Sequence, residues 1–120
     1  MIAGEFRDGH PRTTLQIHGS EGPLEIEFII DTGFEGDLVI PDHIARRIGG
    51  SPNGFIERML ADGSVFRCPT YLVKADTGDS LRTVEAIVMG RNSLLGTVFL
   101  LDHLLQVELS EGGVVSAEPL

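Results

Sequence analysis

The tripeptide Asp-Thr-Gly occurs twice in the chain, at residues 31–33 and 76–78. An aspartate that is held rigidly beside a hydroxyl group and a flexible glycine could act as a general acid or base, because its carboxylate accepts and returns a proton. The same three residues also form an ordinary turn. The surrounding sequence must therefore distinguish the two copies.

The first copy follows an apolar strand. Apolar and acidic residues alternate from residue 24 to residue 30, which predicts a half-buried strand that ends at Asp31. A carboxylate at the edge of a core is costly unless hydrogen bonds compensate it. Thr32 offers a hydroxyl, and Gly33 lets the chain turn so that an N–H points back at the carboxylate. Both interpretations, a catalytic aspartate and a strand-ending turn, stay open for this copy.

The second copy lies between two predicted strands, residues 69–75 and 81–89, and charged residues surround it. Nothing near Asp76 is predicted to be buried. We interpret this copy as an exposed hairpin turn.

Size and charge limit the function. The 120 residues predict a single domain over residues 1–120, with 42% hydrophobic residues for one compact core and no room for two lobes. The formal charge of −9 disfavours nucleic-acid partners, because an acidic surface repels phosphate. The four histidines and Cys68 lack metal-ligand spacing.

The cysteine count and hydropathy predict a cytoplasmic protein without a membrane partner. A lone cysteine, Cys68, excludes an intramolecular disulfide and favours a reducing compartment. The N-terminus has no apolar run of signal-peptide length. The most apolar stretch, residues 94–105, is interrupted by Asp102 and His103 and is too short to span a bilayer.

Local patterns predict a mainly antiparallel all-β fold with one or two short helices. One helix is predicted over residues 41–50, with Pro41 near its first turn, and a loop leading into a second helix over residues 93–104. A turn with the sequence Ala-Asp-Gly-Ser occupies residues 61–64. The predicted strands span residues 14–19, 24–30, 37–40, 54–60, 64–68, 69–75, 81–89, 104–110 and 114–118.

The order of these features resembles the single-domain, retropepsin-like aspartic proteases. FIIDTGF (28–34) is similar to their catalytic loop, and MLADGSVF (59–66) is similar to their flap hairpin. SLLGTVFLLDHLLQVEL (93–109) is similar to their hydrophobic-hydrophobic-Gly motif, helix and terminal strand. Asp-Thr-Gly-Phe, together with Leu-Leu-Gly near the C-terminus, is similar to a small prokaryotic branch of that clan.

This resemblance implies a retropepsin-like acid protease half-barrel and a role for each motif. Asp31, Thr32 and Gly33 would form the catalytic loop. The substrate-binding flap would comprise Ala61, Asp62, Gly63 and Ser64, and structural support would come from Phe34, Leu94, Leu95 and Gly96.

A second register is possible for the support motif. Val88-Met89-Gly90 also has the hydrophobic-hydrophobic-Gly pattern. We prefer residues 94–96, because they leave a helix-length segment before the alternating strand at residues 104–110.

The implied reaction is hydrolysis of a peptide or protein substrate by two aspartates that share one proton, with no metal or organic cofactor. Asp76 lacks a buried strand and a support motif of its own, so the second aspartate is expected to be Asp31 of a second subunit in a twofold homodimer. Thr32 from each chain would then form a hydrogen bond across the axis.

Phe34 departs from the commonest form of the motif, in which a serine or alanine follows the glycine. A serine there hydrogen-bonds the carboxylate, and phenylalanine cannot, which favours activity nearer neutral pH. Phe34 could equally narrow the site. Two alternatives to an endopeptidase therefore stay open: a catalytically silent dimerisation or peptide-binding module of the same fold, and an unrelated small β domain in which both Asp-Thr-Gly copies are turns.

Overall fold

The computed structural model describes residues 1–59 and 61–120, so Leu60, the last residue of the predicted strand 54–60, lies outside it. The described residues form ten strands and one helix. In chain order these are β1 (Ile2–Arg7), β2 (His10–Gly19), β3 (Gly22–Ile30), β4 (Leu38–Ile40), α1 (Asp42–Ile48), β5 (Gly54–Met59), β6 (Val65–Asp76), β7 (Leu81–Val88), β8 (Leu94–Leu95), β9 (His103–Val107) and β10 (Val114–Pro119).

All ten strands belong to one mixed, mainly antiparallel sheet with the order β5-β6-β7-β4-β8-β3-β2-β1-β10-β9. The two parallel pairings, β3 with β8 and β4 with β7, involve short strands at the middle of the sheet. β2 pairs with β3 along one edge. Its other edge is shared between β1, which pairs with its first half, and β6, which pairs with residues 16–18. This second pairing closes the strands from β6 to β2 into a barrel.

The core fills the inside of this barrel because apolar residues alternate along its strands. In β3, for example, the residues at positions 26, 28 and 30 are buried and Glu25 and Glu27 are exposed, as the alternation predicts. Phe28 and Phe99 are fully buried. Burying a side chain of this size stabilises the fold by about 1.5–3 kcal/mol. The buried register of β3 places Asp31 at the rim of the core.

The predicted helix at residues 41–50 is confirmed as α1, with Pro41 at its N-cap and Gly49 at its C-cap. The second predicted helix is wrong. Residues 97–102 form successive turns, in which the amides of Leu100 and His103 donate to carbonyls three residues earlier. A helix cannot continue there because Asp102 adopts a left-handed φ of 62°.

The strands differ from the prediction in three places. The predicted strands 64–68 and 69–75 form a single strand, β6, which runs through Pro69. β6 pairs with β5 up to Thr70 and with β7 from Thr70 onward, so Pro69 has a neighbouring strand on one side only, where a missing N–H costs least. β1 and β8 were not predicted, because neither shows an apolar alternation long enough to be recognised. Within the described residues, no helix has the length and apolar character needed to cross a membrane.

Candidate active site

Asp31 lies at the end of β3, where β8 holds it from the side. Ile29 and Ile30 pair in parallel with Leu94 and Leu95. The ladder continues one step further, since the amide of Asp31 donates to the carbonyl oxygen of Leu95 at 2.9 Å. The backbone of the aspartate is therefore fixed by the strand that precedes the glycine of the Leu-Leu-Gly motif.

The loop that follows orients the Asp31 side chain. The amide of Gly33 donates to Oδ1 of Asp31 at 2.9 Å, and the amide of Phe34 donates to the Asp31 carbonyl oxygen at 3.1 Å. Asp31 is half-buried, whereas Thr32 and Gly33 are exposed. The loop thus presents a carboxylate of fixed orientation at the surface of the molecule, with the Thr32 hydroxyl beside it in the chain.

Gly96 packs directly under this loop. Its amide donates to the carbonyl oxygen of Asp37 at 2.9 Å, and the amide and hydroxyl of Thr97 both donate to the carbonyl oxygen of Phe34 at 2.9 and 3.2 Å. A Cβ at position 96 would lie 2.4 Å from the carbonyl oxygen of Gly36 and 2.5 Å from the Phe34 ring. Only a glycine fits between these atoms.

The alternative glycine has no such environment. Gly90 follows β7, and a Cβ added to it would have no atom within 4 Å. The structure therefore brings residues 94–96, rather than residues 88–90, next to Asp31.

Phe34 lines an apolar pocket on the other side of the loop. Its ring packs against Gly36 and Gly96 and against a small buried cluster that includes Val39. The pocket has a volume of about 310 Å³. It is lined by Phe34, Val39, Arg58, Met89, Gly90, Arg91, Asn92 and Leu94. Phe34 thus supplies an apolar wall beside the aspartate and no hydrogen bond to it.

A groove of about 620 Å³ contains Asp31 and Thr32 themselves. Its walls come from β3, from the segment before β8 and from the C-terminal strand region. The remaining lining residues are His10, Pro11, Ile29, Ile30, Asn92, Leu94, Leu105, Val107 and Leu109. A mostly apolar groove of this size, with one carboxylate in it, can hold an extended chain with apolar side chains.

The flap turn, residues 61–64, lies at the tip of the β5–β6 hairpin, and all four residues are exposed. The hydroxyl and the amide of Ser64 donate to Oδ1 of Asp62 at 2.6 and 2.9 Å, and these bonds lower the pKa of Asp62 below its usual value of 3.8. Gly63 has a φ of 86°, which favours glycine. The flap turn does not line the Asp31 groove. Arg58, which is close to the turn in the same hairpin, does line the Phe34 pocket.

The second Asp-Thr-Gly copy forms the predicted hairpin turn between β6 and β7, but Asp76 and Thr77 are half-buried, so the expectation that the turn is exposed is wrong for these two residues. The amide of Gly78 donates to Oδ1 of Asp76 at 2.8 Å, the same bond that Gly33 makes to Asp31. The two copies therefore share their local geometry. They differ in their surroundings. Asp31 lies beside β8 in the groove described above, whereas Asp76 lies opposite Gln16 of β2 and lines a separate groove of about 370 Å³.

Sequence patterns missed several residues of the groove. Asn92 lines both the Asp31 groove and the Phe34 pocket, and Leu105, Val107 and Leu109 form the far wall of the groove. The alternation of residues 105, 107 and 109 was the available signal, but a strand pattern does not show which site its face will line. In the described part of the chain, no three His, Cys, Asp or Glu side chains gather closely enough to hold a metal ion.

Comparison with solved structures agrees with this geometry. The fold matches the crystal structure of a retropepsin-like aspartic protease from Rickettsia conorii with a TM-score of 0.61, over 96% of this chain and 88% of that one. The chain has a retropepsin-like fold. The two sequences are 18% identical, so the likeness concerns the fold. No protein-family model matches the chain, and no curated protein matches it.

Proposed function

We propose that the chain is an aspartic endopeptidase of retropepsin type, in which Asp31 from each of two subunits forms the catalytic dyad. The observation that carries this proposal is the position of Asp31. Its carboxylate is oriented by Gly33, its backbone is held by Leu95, and it lies in a groove large enough for an extended peptide.

The proposed reaction needs two carboxylates and one water. One Asp31 carboxylate removes a proton from the water, whose oxygen attacks the peptide carbonyl carbon. The protonated Asp31 of the other subunit gives its proton to the carbonyl oxygen, and a tetrahedral diol forms. A proton then passes to the peptide nitrogen, the C–N bond breaks, and a carboxylic acid and an amine leave. Since two carboxylates at close range cannot both ionise, the dyad starts with one shared proton.

A second subunit is required because Asp76 lines a separate groove that shares no residue with the groove at Asp31. The surface near Asp31 is suited to a second copy. β9 is an edge strand, and large apolar side chains near it are exposed. They are Val98, Leu101, Leu104 and Leu109. These side chains contribute to the interface of the proposed dimer. In the proposed dimer, the two Asp31 loops meet at the twofold axis and Thr32 of each chain bonds across it.

The flap turn is proposed to close over the bound peptide from above the Phe34 pocket. The exposed side chains of Met59, Val65 and Phe66 in the flap hairpin would then cover apolar side chains of the substrate. Closure of this kind excludes water from the reacting atoms. Phe34 and Leu94 would contact a substrate side chain in the pocket beside the dyad.

A second candidate function is a catalytically silent module of the same fold that binds a peptide or a second copy. Phe34 is the observation that favours it, because a phenyl ring cannot donate a hydrogen bond to the Asp31 carboxylate as a serine would.

The test is cleavage of a mixed peptide library between pH 4 and pH 7, read by mass spectrometry. The wild type is compared with Asp31→Asn and with a matched control, Asp76→Asn. The control replaces a carboxylate oxygen by an amide nitrogen in a turn of the same local geometry. We expect cleavage by the wild type and by Asp76→Asn, and a loss of at least a thousandfold in Asp31→Asn. Sedimentation should show a dimer for all three proteins.

Two outcomes would reject the proposal. Cleavage that persists in Asp31→Asn would assign the activity to another group or to a contaminant. A folded, dimeric wild type that cleaves nothing across this pH range would favour the silent module, and Phe34→Ser would then be the variant that tests whether the missing hydroxyl is responsible.

A further inference from the structure

A second groove, of about 580 Å³, lies on the outer face of β6 and β7 and shares no residue with the groove at Asp31. Three parts of the chain form it: the tip of the β2–β3 hairpin, the loop after α1 and the outward-facing side chains of β6 and β7. Its lining residues are His18, Gly19, Ser20, Ile48, Gly49, Gly50, Ser51, Tyr71, Leu72, Val73, Lys74, Leu81 and Thr83. We call it the outer groove.

The lining residues of the outer groove include one ammonium group, one imidazole and no carboxylate. His18 and Lys74 are directly opposite one another in the β2–β6 pairing, so their side chains lie on the same face of the sheet. Lys74 is the only lysine of the chain. None of the eighteen aspartates and glutamates lines the groove, although Glu21 lies beside Gly49 and Glu85 is opposite Leu72. In a protein with a charge of −9, Lys74 gives this groove a positive charge without a carboxylate among its lining residues.

One polar atom of the groove lacks a partner. Nε2 of His18 is shielded from solvent and has no hydrogen bond from the described residues. A shielded polar atom without a partner costs free energy and calls for an explanation, such as a group that is bound in the functional state. The Ser51 side chain, which is exposed at the opposite wall, adds a further donor.

Apolar side chains flank Lys74 and His18. Leu72 and Leu81 are 56% and 53% exposed, and both line the outer groove. A ligand that contacts them needs an apolar part as well as a negative charge. No arginine lines the groove, so the fork that matches a phosphate dianion is missing, and one ammonium with one imidazole suits a single carboxylate.

We propose that the outer groove binds a small carboxylate with an apolar tail. The carboxylate contacts the Lys74 ammonium and the imidazole of His18, and the tail packs on Leu72 and Leu81. This site is separate from Asp31 and does not depend on catalysis there. A free organic acid and the C-terminal carboxylate of a short apolar peptide share this chemistry.

The test is a titration of the ¹⁵N-labelled protein at pH 7, followed through amide chemical shifts. The probes are hexanoate, its uncharged analogue hexanamide, and acetyl-Leu-Leu as the free acid and as the amide. We expect saturable shifts at His18, Ser51 and Lys74 with at least one free acid and none with the two amides. Saturation by hexanoate identifies a small organic acid as sufficient, whereas saturation by the dipeptide acid alone identifies a peptide C-terminus. Both results support the site.

Three variants separate the lysine charge from a general effect of net charge. Lys74→Met keeps the aliphatic stem and removes the charge, and it is expected to weaken binding at least tenfold. Lys74→Arg keeps the charge and should bind within about fivefold of the wild type. Arg46→Met, the matched control, removes an equal charge from the exposed face of α1 and should change binding less than twofold.

Lys74 is exposed, so its replacement leaves the core intact, and the dispersion of the amide spectrum verifies the fold. The proposal is overturned if no free acid gives saturable shifts at the groove, if the amides bind as well as the acids, or if Lys74→Met binds as tightly as the wild type.

Discussion

Replacement of Gly96 by alanine tests directly whether the Leu-Leu-Gly segment supports the Asp31 loop. The added Cβ would lie 2.4 Å from the carbonyl oxygen of Gly36 and 2.6 Å from that of Phe34. Both atoms belong to the backbone, so they cannot rotate away as a side chain could. The Asp31 loop must shift instead, and overpacking of this kind costs about 1–3 kcal/mol.

The expected change in melting temperature follows from the size of the chain. At about 2.1 cal/mol/K per residue, 120 residues give an unfolding entropy of about 0.25 kcal/mol/K. Each kcal/mol therefore lowers the melting temperature by about 4 °C, and Gly96→Ala should melt about 4–12 °C below the wild type. Calorimetry at one fixed protein concentration measures this, because dimerisation would make the melting temperature depend on concentration.

Gly54→Ala is the matched control. Gly54 lies in β5, and a Cβ there would have its nearest contact at 3.6 Å, with the Thr70 hydroxyl. The same substitution should therefore be neutral or stabilising by up to about 1 kcal/mol, because alanine reduces the entropy of the unfolded chain. If Gly96→Ala melted within 2 °C of Gly54→Ala, the inference that Gly96 supports the Asp31 loop would be refuted. A selective loss of peptidase activity in Gly96→Ala would extend the inference to catalysis.

Three further predictions concern charges and the core. The Ser64 hydroxyl and amide hold the pKa of Asp62 below 3.8, so ionised Asp62 stabilises the flap turn above that pH. This contribution is lost as the pH falls through the lower pKa of the folded state. A ¹³C titration of the carboxyl group should show a higher Asp62 pKa in Ser64→Ala. Hydrogen bonds from Arg7 lower the pKa of Glu27 below 4.5, so Arg7→Met should destabilise the protein at pH 7. In urea melts the difference should shrink as the pH falls through the lowered pKa of folded Glu27. Phe28→Ala, at a fully buried position, should lower the free energy of unfolding by about 3–5 kcal/mol in urea at pH 7, and a loss below 1 kcal/mol would contradict the core assignment.

Local sequence was sufficient to predict most elements of the fold. The alternation at residues 24–30 predicted β3 and the position of Asp31 at its end, because a period of two places every second side chain in the core. The proline and glycines around residues 41–50 predicted α1. The turn chemistry of Asp-Thr-Gly was also local, since both copies form the same bond from the glycine amide to the aspartate.

Structural elements that depend on contacts with distant residues were predicted poorly. Residues 97–102 have the apolar content of a helix, yet they form turns that connect β8 to the edge strand β9. The sequence predicts two strands in place of β6 because Pro69 lies between them. The strand continues through Pro69 because the pairing partner of β6 changes from β5 to β7 at Thr70. β8 has only two residues, so only its neighbours β3 and β4 make it a strand.

The sequence by itself determined that Asp31 follows a buried strand, because the alternation of apolar residues is a local pattern. It also determined that the Gly33 amide donates to the Asp31 carboxylate, because this hydrogen bond joins residues only two positions apart. Only the tertiary structure decided which Asp-Thr-Gly copy is flanked by β8 and Gly96. Both copies line a groove, but β8 and Gly96 pack beside Asp31, whereas β2 and the first residues of the chain lie beside Asp76. Such packing joins residues more than sixty positions apart, and a local pattern carries no information about which distant segments the closed sheet brings together.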